Sequence, residues 1–208
     1  MLHASLRGPL GIATLRDLME DDIPPVVHYW FTSSDEFLNF MGVDRQRLGN
    51  TGDTQQRFRR AIRTGNPDQK TFALAITLNE ELVGYTLLNR YTPDTNYSHW
   101  HIIVPQFRGT GISTALYPYR IKAYFDLAPL DRLIHQTRTR NVAVNRMLDR
   151  YVSVAETCLV EHPDGVALPG EFNLRYVLRN DIPRLFATAE QLNQNSIESA
   201  GVKPKPSA

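Results

Sequence analysis

Apolar residues recur along the chain with two different periods, and the points where the period changes divide it into elements. Thr71 to Leu78 and Leu82 to Asn89 are aliphatic-rich runs separated by Asn79-Glu80-Glu81, a pattern that predicts a hairpin. After a loop at 91–96 carrying Pro93 and Asp94, a third strand is predicted over Tyr97 to Val104. Beyond Pro105 the period becomes helical, with Ile112, Ala115, Leu116, Tyr119 and Ala123 on one face. Pro118 lies inside this helix, where it should remove one backbone bond and bend the axis. Leu133 to Thr139 reads as a strand and Val142 to Arg150 as a short helix. Two late strands, Val154 to Val160 and Phe172 to Leu178, flank a loop punctuated by Pro163, Gly165, Pro169 and Gly170.

The ends of the chain are read in the same way. Residues 1–10 carry little pattern and are expected to form a flexible lead-in, with a first strand around Ile12 to Leu15. Asp21 and Asp22 offer N-caps to a helix starting near Ile23, with Pro24 and Pro25 tolerated in its first turn and Val26, Val27 and Trp30 turned to the core. From Asp35 to Thr64 the reading is helical but interrupted at Gly42, Gly49 and Gly52, and Phe58, Ala61 and Ile62 give its last segment an apolar face. Asp181 caps a final helix whose Ile182, Leu185, Phe186, Ala189 and Leu192 form one stripe. The tail at 201–208, with Lys203-Pro204-Lys205-Pro206, is expected to be disordered. The order of elements is mixed α and β around one sheet, without an internal repeat.

Composition narrows the function. A chain of 208 residues with 42% hydrophobic and 22% charged residues and a mean hydropathy of −0.34 can bury one sizeable core. Its 23 basic and 22 acidic residues leave a net charge of +1, no basic excess with which to neutralise a nucleic-acid backbone. Cys158 is the only cysteine, so neither an intramolecular disulfide nor a Cys-based zinc cluster can form. Its neighbours Thr157, Leu159 and Val160 suggest a small buried side chain rather than a catalytic thiol. No run approaches the ~20 apolar residues of a membrane span and no signal-peptide pattern opens the chain, so a cytoplasmic location is expected.

The segment with chemical content is Val104-Pro105-Gln106-Phe107-Arg108-Gly109-Thr110-Gly111-Ile112-Ser113, where a strand ends, a glycine turn follows and a helix begins at once. Unpaired N–H groups and the positive end of the macrodipole make such a terminus a site for a phosphate or pyrophosphate. Gly109 and Gly111 let the backbone approach the anion. No Walker lysine follows, and the spacing is not that of a dinucleotide-binding turn.

Gln106-x-x-Gly109-x-Gly111 resembles the pyrophosphate loop of the GNAT acetyltransferases. The similarity continues through the predicted strand at Ile134 to Thr139-Arg140-Asn141-Val142-Ala143-Val144-Asn145, which looks like the family's second signature, and the pattern is nearest the RimJ/RimL-like branch. The resemblance implies a single GNAT-like domain over residues 11–200: an α/β (α+β mixed) fold with a central, mostly antiparallel sheet splayed between two parallel strands and helices on both faces. It implies acetyl-CoA as co-substrate, with no metal, and a primary amine as acceptor, either a small molecule or a protein N-terminus. Pantetheine would lie in the wedge, bonded like an added strand to the backbone near Ile103 and Val104 and contacted by Asn141. Gln106 would open the pyrophosphate loop, and the amides from Phe107 through Arg108, Gly109, Thr110, Gly111 and Ile112, with Ser113, would hold the anion.

The chemistry needs an amine freed of its proton and a donor for the departing thiolate. His99 and His101 share one strand face with Tyr97 by period-two geometry, and a histidine suits proton removal near neutrality. The structural alternative is that all three pack within the sheet. Where many family members carry a tyrosine acid, this chain has Leu148; Tyr151, three residues on, either substitutes or packs. A non-catalytic acyl-CoA-binding or regulatory module that has lost the general acid therefore stays open beside the enzyme. Arg138 and Arg140 share a face, as solvated charges or as contacts to the cofactor's phosphates or an acidic substrate. Tyr29, Trp30, Phe37 and Phe40 fall where the family places its substrate-side helices, though packing explains most of them. The C-terminal amphipathic helix can pack in cis or across a homodimer.

Overall fold

The computed structural model describes residues 1–66, 68–90, 92, 94–163 and 165–199. Eight strands form one sheet: β1 (Leu2–Gly8), β2 (Gly11–Asp17), β3 (Thr71–Leu78), β4 (Glu81–Arg90), β5 (Asn96–Ile102), β6 (Arg132–Arg138), β7 (Glu156–Val160) and β8 (Gly170–Leu178). Their order is β1-β2-β3-β4-β5-β6-β8-β7, and every neighbouring pair is antiparallel except β5 with β6. The helices are α1 (Ile23–Thr32), α2 (Asp35–Met41), α3 (Thr51–Ala61), α4 (Ile112–Leu127), α5 (Val142–Asp149) and α6 (Ile182–Ser199). The mixed α/β fold with one parallel pair is the one expected.

The central strands are apolar on both faces, and the two faces bury two different cores. Phe72, Leu74 and Ile76 of β3 join Leu116, Ile121, Tyr124 and Phe125 of α4 and Leu185 of α6. The alternate residues Ala73 and Ala75 lie with Tyr85 beneath α1 and α3, against Val26, Trp30 and Phe58. Small side chains on this second face leave room between sheet and helices. The loop before β8 reaches across to close that room: Ala167 bridges Val43, the Asp44 amide donates to the Val166 carbonyl at 2.7 Å, and Arg47 donates to the carbonyls of Pro163 and Ala167.

Several local expectations change. The lead-in expected at 1–10 is strand β1, in which Ala4 is buried against the α4 core and Leu6 packs beside it. Six or seven alternating residues are too weak a signal alone; pairing with β2 and contact with α4 supply the rest. Asp22 does not cap α1: its carboxylate accepts the Met19 amide and both terminal nitrogens of Arg16, while Asp21 is exposed. Asp181 likewise accepts the Leu178 amide, capping the single turn ahead of α6. Pro118 sits inside α4, which continues past it to Leu127. Cys158 is half-buried in β7 rather than enclosed. The tail at 201–208 lies outside the described residues. No described helix is long and apolar enough to cross a membrane.

Asp17 anchors β1. Its carboxylate takes the N-terminal ammonium at 2.8 Å, His3 at 2.7 Å and Arg63 at 2.8 Å. Burial alone would raise its pKa, but these hydrogen bonds and the ammonium's charge outweigh it and hold the group at about 2. A depressed carboxylate pKa stabilises the fold above the unfolded value of 3.8, and that contribution is lost as pH falls through about 2. Asp17→Asn should therefore cost about 2 kcal/mol at pH 7, with the gap to the parent protein closing between pH 4 and pH 2 in urea denaturation. A gap that stays constant over that range would show that the charge is not what holds β1.

Candidate active site

The site begins where the sheet fails to close. β5 and β6 meet at one register position, Tyr97 opposite Ile134, and then diverge toward Ile102 and Arg138. Ile103 donates to the Val83 carbonyl of β4 at 2.9 Å, so by strand alternation His99 and His101 aim their backbone groups at β4. The backbone groups of Ser98, Trp100 and Ile102 then face the opening. Val104 also donates to Val83, at 3.4 Å. Pantetheine is expected from the sequence to bond the backbone near Ile103 and Val104; the amides of these two residues donate to Val83, and the groups facing the wedge belong to their neighbours Trp100 and Ile102.

At the end of β5 the chain makes one tight turn over Pro105–Phe107 and enters α4 through Gly109 and Gly111. Both glycines have left-handed backbones, φ 76° and 89°, and a Cβ placed on either would meet nothing within 4 Å. The Phe107 and Arg108 amides donate to Val104 and Pro105 inside the turn. Those from Gly109 to Ser113 make no backbone hydrogen bond, and the first turn of α4 carries no acidic residue. Five outward N–H groups over open space suit an anion. Thr110 turns its hydroxyl back to the Phe107 carbonyl at 2.8 Å, and Gln106 is exposed. The Arg108 side chain leaves the loop: its Nε donates to the Ile102 carbonyl at 3.1 Å and its guanidinium lies 4.6 Å from the Phe37 ring centre.

On the α1–α3 face of the sheet lies a cavity of about 870 Å³, lined by residues of β3 to β6 and by Trp30, Phe58, Asn141 and Val166. Tyr97, His99 and His101 all line it. The two histidines have different surroundings. His101 is stacked on Tyr85 at 5.3 Å, meets Trp30 edge-on at 4.7 Å and shares a 3.4 Å contact with the Tyr29 hydroxyl. Burial, then the charges of His99 and Arg108, push its pKa well below 6.5. His99 stands 5.8 Å from the His101 ring, with no hydrogen bond to its imidazole among the described residues. Burial, then the Arg120 charge, lowers its pKa to about 4. Both rings are therefore neutral near pH 7: His101 is part of an aromatic wall, and His99 offers a neutral imidazole to the cavity. Trp30, whose indole donates to Tyr85 at 2.8 Å, and Tyr29 are buried as expected of packing residues, whereas Phe40 is exposed.

The turn from β6 into α5 forms the other rim. Asn141 caps α5, accepting the Val144 amide at 3.4 Å, and its side chain borders the cavity. Beneath it lies a network that sequence reading missed. The Asn145 amide donates to the carbonyls of Arg138 and Asn141 at 2.8 and 2.9 Å, and its oxygen accepts from Thr137, Asn173 and Arg175. Arg175, fully buried, also reaches Asp149 and the Val152 carbonyl. Nothing in the spacing of residues 145 and 175 could signal this contact. Leu148 is buried in the α4-side core. Tyr151 is not brought to the cavity: it stacks on Tyr117 at 4.6 Å and donates its hydroxyl to the Thr114 carbonyl at 2.8 Å, while burial lifts its pKa to about 12. Arg138 lines the cavity and Arg140 donates to the Asn39 carbonyl. No group of metal-ligating side chains occurs among the described residues.

With this geometry in hand, comparison with known proteins is specific. Residues 13–151 match the profile of the acetyltransferase (GNAT) domain. No curated protein matches the sequence. Among solved structures, Mycobacterium smegmatis RimJ in complex with CoA-disulfide superposes with a TM-score of 0.69 at 17% identity, covering 93% of each chain. RimL, a ribosomal L7/L12 alpha-N-protein acetyltransferase in complex with coenzyme A, gives 0.64 at 16% identity, over 86% of this chain and 98% of its own. The microcin C7 self-immunity acetyltransferase MccE, in complex with acetyl-CoA and AMP, gives 0.60 at 18% identity, over 83% and 98%.

Two measurements check the site as built. The ring protons of His99 and His101 should show no titration midpoint between pH 5.5 and 8 in NMR, with His99 charging only toward about 4; a midpoint near 6.5 would show that the cavity is wetter than described. Asn145→Ala removes one of the four acceptors of Arg175 and the side-chain donor to the Arg138 and Asn141 carbonyls, which keep only their backbone amides, and should destabilise the fold by about 1–3 kcal/mol. A loss below half a kcal/mol in denaturant titration would mean the network is not a support for the α5 turn.

Proposed function

Because residues 13–151, more than half of the chain, match the family's profile, the chain belongs to the GNAT acetyltransferase family, and we propose that it moves an acetyl group from acetyl-CoA to a primary amine by direct attack on the thioester. The observation that carries this reading is the wedge between β5 and β6, which opens at one end on the glycine turn of α4 and at the other on the cavity holding His99. That is the path a long donor with a pyrophosphate at one end and a thioester at the other requires. The open space over Gly109 and Gly111 and the free amides as far as Ser113 fit a pyrophosphate. The wedge-facing groups of Trp100 and Ile102 suit the pantetheine amides, with Asn141 across the opening.

In the transfer the amine nitrogen bonds to the acyl carbon as the carbon–sulfur bond breaks. The amine gives up a proton and the thiolate takes one. A histidine with a pKa of about 4 is a weak proton store but a competent hydrogen-bond acceptor, so His99 orients an amine that arrives neutral. The cavity assists, because the cations along its wall disfavour an ammonium. The proton then leaves through water.

One observation favours a second reading, an acyl-CoA-binding module without efficient transfer: Leu148 is buried and the Tyr151 hydroxyl is engaged by Thr114, so neither serves as the acid. Release of free thiol from acetyl-CoA on addition of amines separates the two; catalytic turnover excludes the module.

Gly109→Val should reduce acetyl-CoA affinity at least a hundredfold by calorimetry, since a branched side chain would fill the anion's place and resist φ 76°. Unchanged affinity in a folded variant would remove the loop from the donor site. His99→Gln should lower turnover more than tenfold at constant acetyl-CoA affinity; turnover equal to that of the parent would leave His99 as wall only.

A further inference from the structure

The cavity has a charge bias that the neutral composition of the chain does not foreshadow. Among the described residues lining it are Arg57, Arg60, Lys70 and Arg138, but no aspartate or glutamate. None of these four cations forms an ion pair, although other arginines of the chain find Asp17, Asp22, Glu20 and Asp35. Arg57, Arg60 and Lys70 are exposed and Arg138 is half-buried; together they bias the cavity toward ions of the opposite sign.

Arg138 is the cation nearest the wedge. It ends β6, on the sheet face that Tyr97, His99 and His101 share across the opening, whereas the glycine turn and α4 lie on the other side. Its side chain threads between Gly42 and Gly170, and a Cβ on either glycine would collide with it. The absence of side chains at these two positive-φ positions, Gly42 being the C-cap of α2, leaves the room the arginine occupies. Yet its hydrogen bonding is unfinished: Nη2 donates to the Pro169 carbonyl at 2.9 Å, while Nε and Nη1 are shielded from water without any partner. Buried donors left unpaired cost free energy that an acceptor would recover. The planar fork of Arg is matched in shape by a carboxylate or a phosphate. Arg57, Arg60 and Lys70 lie toward β3, about three strand spacings or ~14 Å from β6, and are placed to draw an anion in rather than to grip it beside the thioester.

We propose that the acceptor is a small amine that also bears an anionic group, a carboxylate or a phosphate, and that Arg138 holds that group while the amine faces His99. The inference rests on the acyl-transfer reading of the same cavity and names the chemistry of its second substrate. A turn about the terminal bonds of Arg138 would present one edge of its guanidinium, a fork of two donors, to the anion, giving at least one orphaned donor an acceptor. The same charges disfavour polyamines, whose ammonium groups would meet four cations and, among the described lining residues, no carboxylate. They also lower the pKa of the acceptor's own ammonium, so that the molecule binds as an anion with its nucleophile free.

The test uses amines matched except for charge: γ-aminobutyrate against its carboxamide, O-phosphoethanolamine against ethanolamine, and spermidine as the cationic extreme. Free thiol released from acetyl-CoA is followed as the amine is varied. The anionic member of at least one pair should be favoured more than tenfold in kcat/KM, the two pairs distinguishing carboxylate from phosphate. Arg138→Gln should bring that pair near parity through the KM of the amine, with acetyl-CoA affinity unchanged, and Arg138→Lys should restore part of the preference. Because Arg138 is packed between two glycines, a second measurement stands beside the variants: acetate or inorganic phosphate should inhibit the parent protein competitively against the amine and not against acetyl-CoA. Equal use of neutral partners, a preference for spermidine, or a preference that survives Arg138→Gln would each overturn the proposal, as would weakened acetyl-CoA binding in a folded Arg138→Gln. If no amine is acetylated although acetyl-CoA binds, the transfer reading fails separately. Calorimetry of γ-aminobutyrate and O-phosphoethanolamine on the acetyl-CoA-bound protein then decides the anion site, with binding of neither counting against it.

Discussion

Everything at this site depends on two parallel strands that begin to pair and then stop. β5 and β6 share one register position, Tyr97 with Ile134, and beyond it both present a backbone edge to an opening instead of to each other. An edge inside a protein is costly unless its polar groups find other partners. Here side chains take that part. His135 contacts the Ser98 carbonyl at 3.3 Å, Arg108 caps the Ile102 carbonyl, and Asn145 binds the carbonyl of Arg138. The wedge is thus a gap held open by packing on its two sides, and on the proposed reading the donor's pantetheine takes the place of the missing strand.

What holds it open is unequal on the two sides. β1 to β5 are joined by antiparallel ladders, with register shifts in β1 and β3, over two apolar cores. β6 is backed by β8, and behind that pair stands the buried guanidinium of Arg175, joined to Thr137, Asn145, Asp149 and the Val152 carbonyl. A charge with no exposure is tolerable because a carboxylate and several oxygens surround it. Through Asn145 it fixes the end of β6 and the start of α5, and so places Asn141 and Arg138 on the far rim.

The electrostatics of the cavity follow from its shape. Enclosure between sheet and helices keeps His99 and His101 neutral, and it raises the weight of every fixed charge on the wall. On the proposed reading, a neutral imidazole and cations without ion pairs among the described residues together favour an uncharged amine over an ammonium. The burial that makes the histidines poor proton stores thereby reduces the need for one. Arg108 adds to this by folding away from the glycine turn onto Phe37 and the end of β5, which leaves the loop's backbone free and brings a further positive charge toward His101.

How much of this was written in local sequence differs from element to element. The β3–β4 hairpin, the start of α4 and the Asn141 turn were legible because each is a short-range event: a run of apolar residues, a pair of glycines before a helix, a cap three residues before its amide. The glycine turn before α4 was legible for the same reason, since a helix terminus and its glycines are neighbours in the chain. β1 was missed because its seven residues become a strand only beside β2 and α4, and Asp22 was misread as a cap because Arg16 outcompetes the helix for its carboxylate. Parity placed His99 and His101 on one face of β5 but could not say that Tyr85 and Trp30 would enclose one of them. For Arg138 the sequence left a solvated charge and a contact to the cofactor's phosphates or an acidic substrate side by side, and could not show that Gly42 and Gly170, far away in sequence, close around it. Sequence by itself determined most of the elements and the glycine turn into α4, whose signals lie within a few residues of one another. Only the tertiary structure decided which charges share an enclosed space, because burial and pairing are properties of segments that meet from distant parts of the chain.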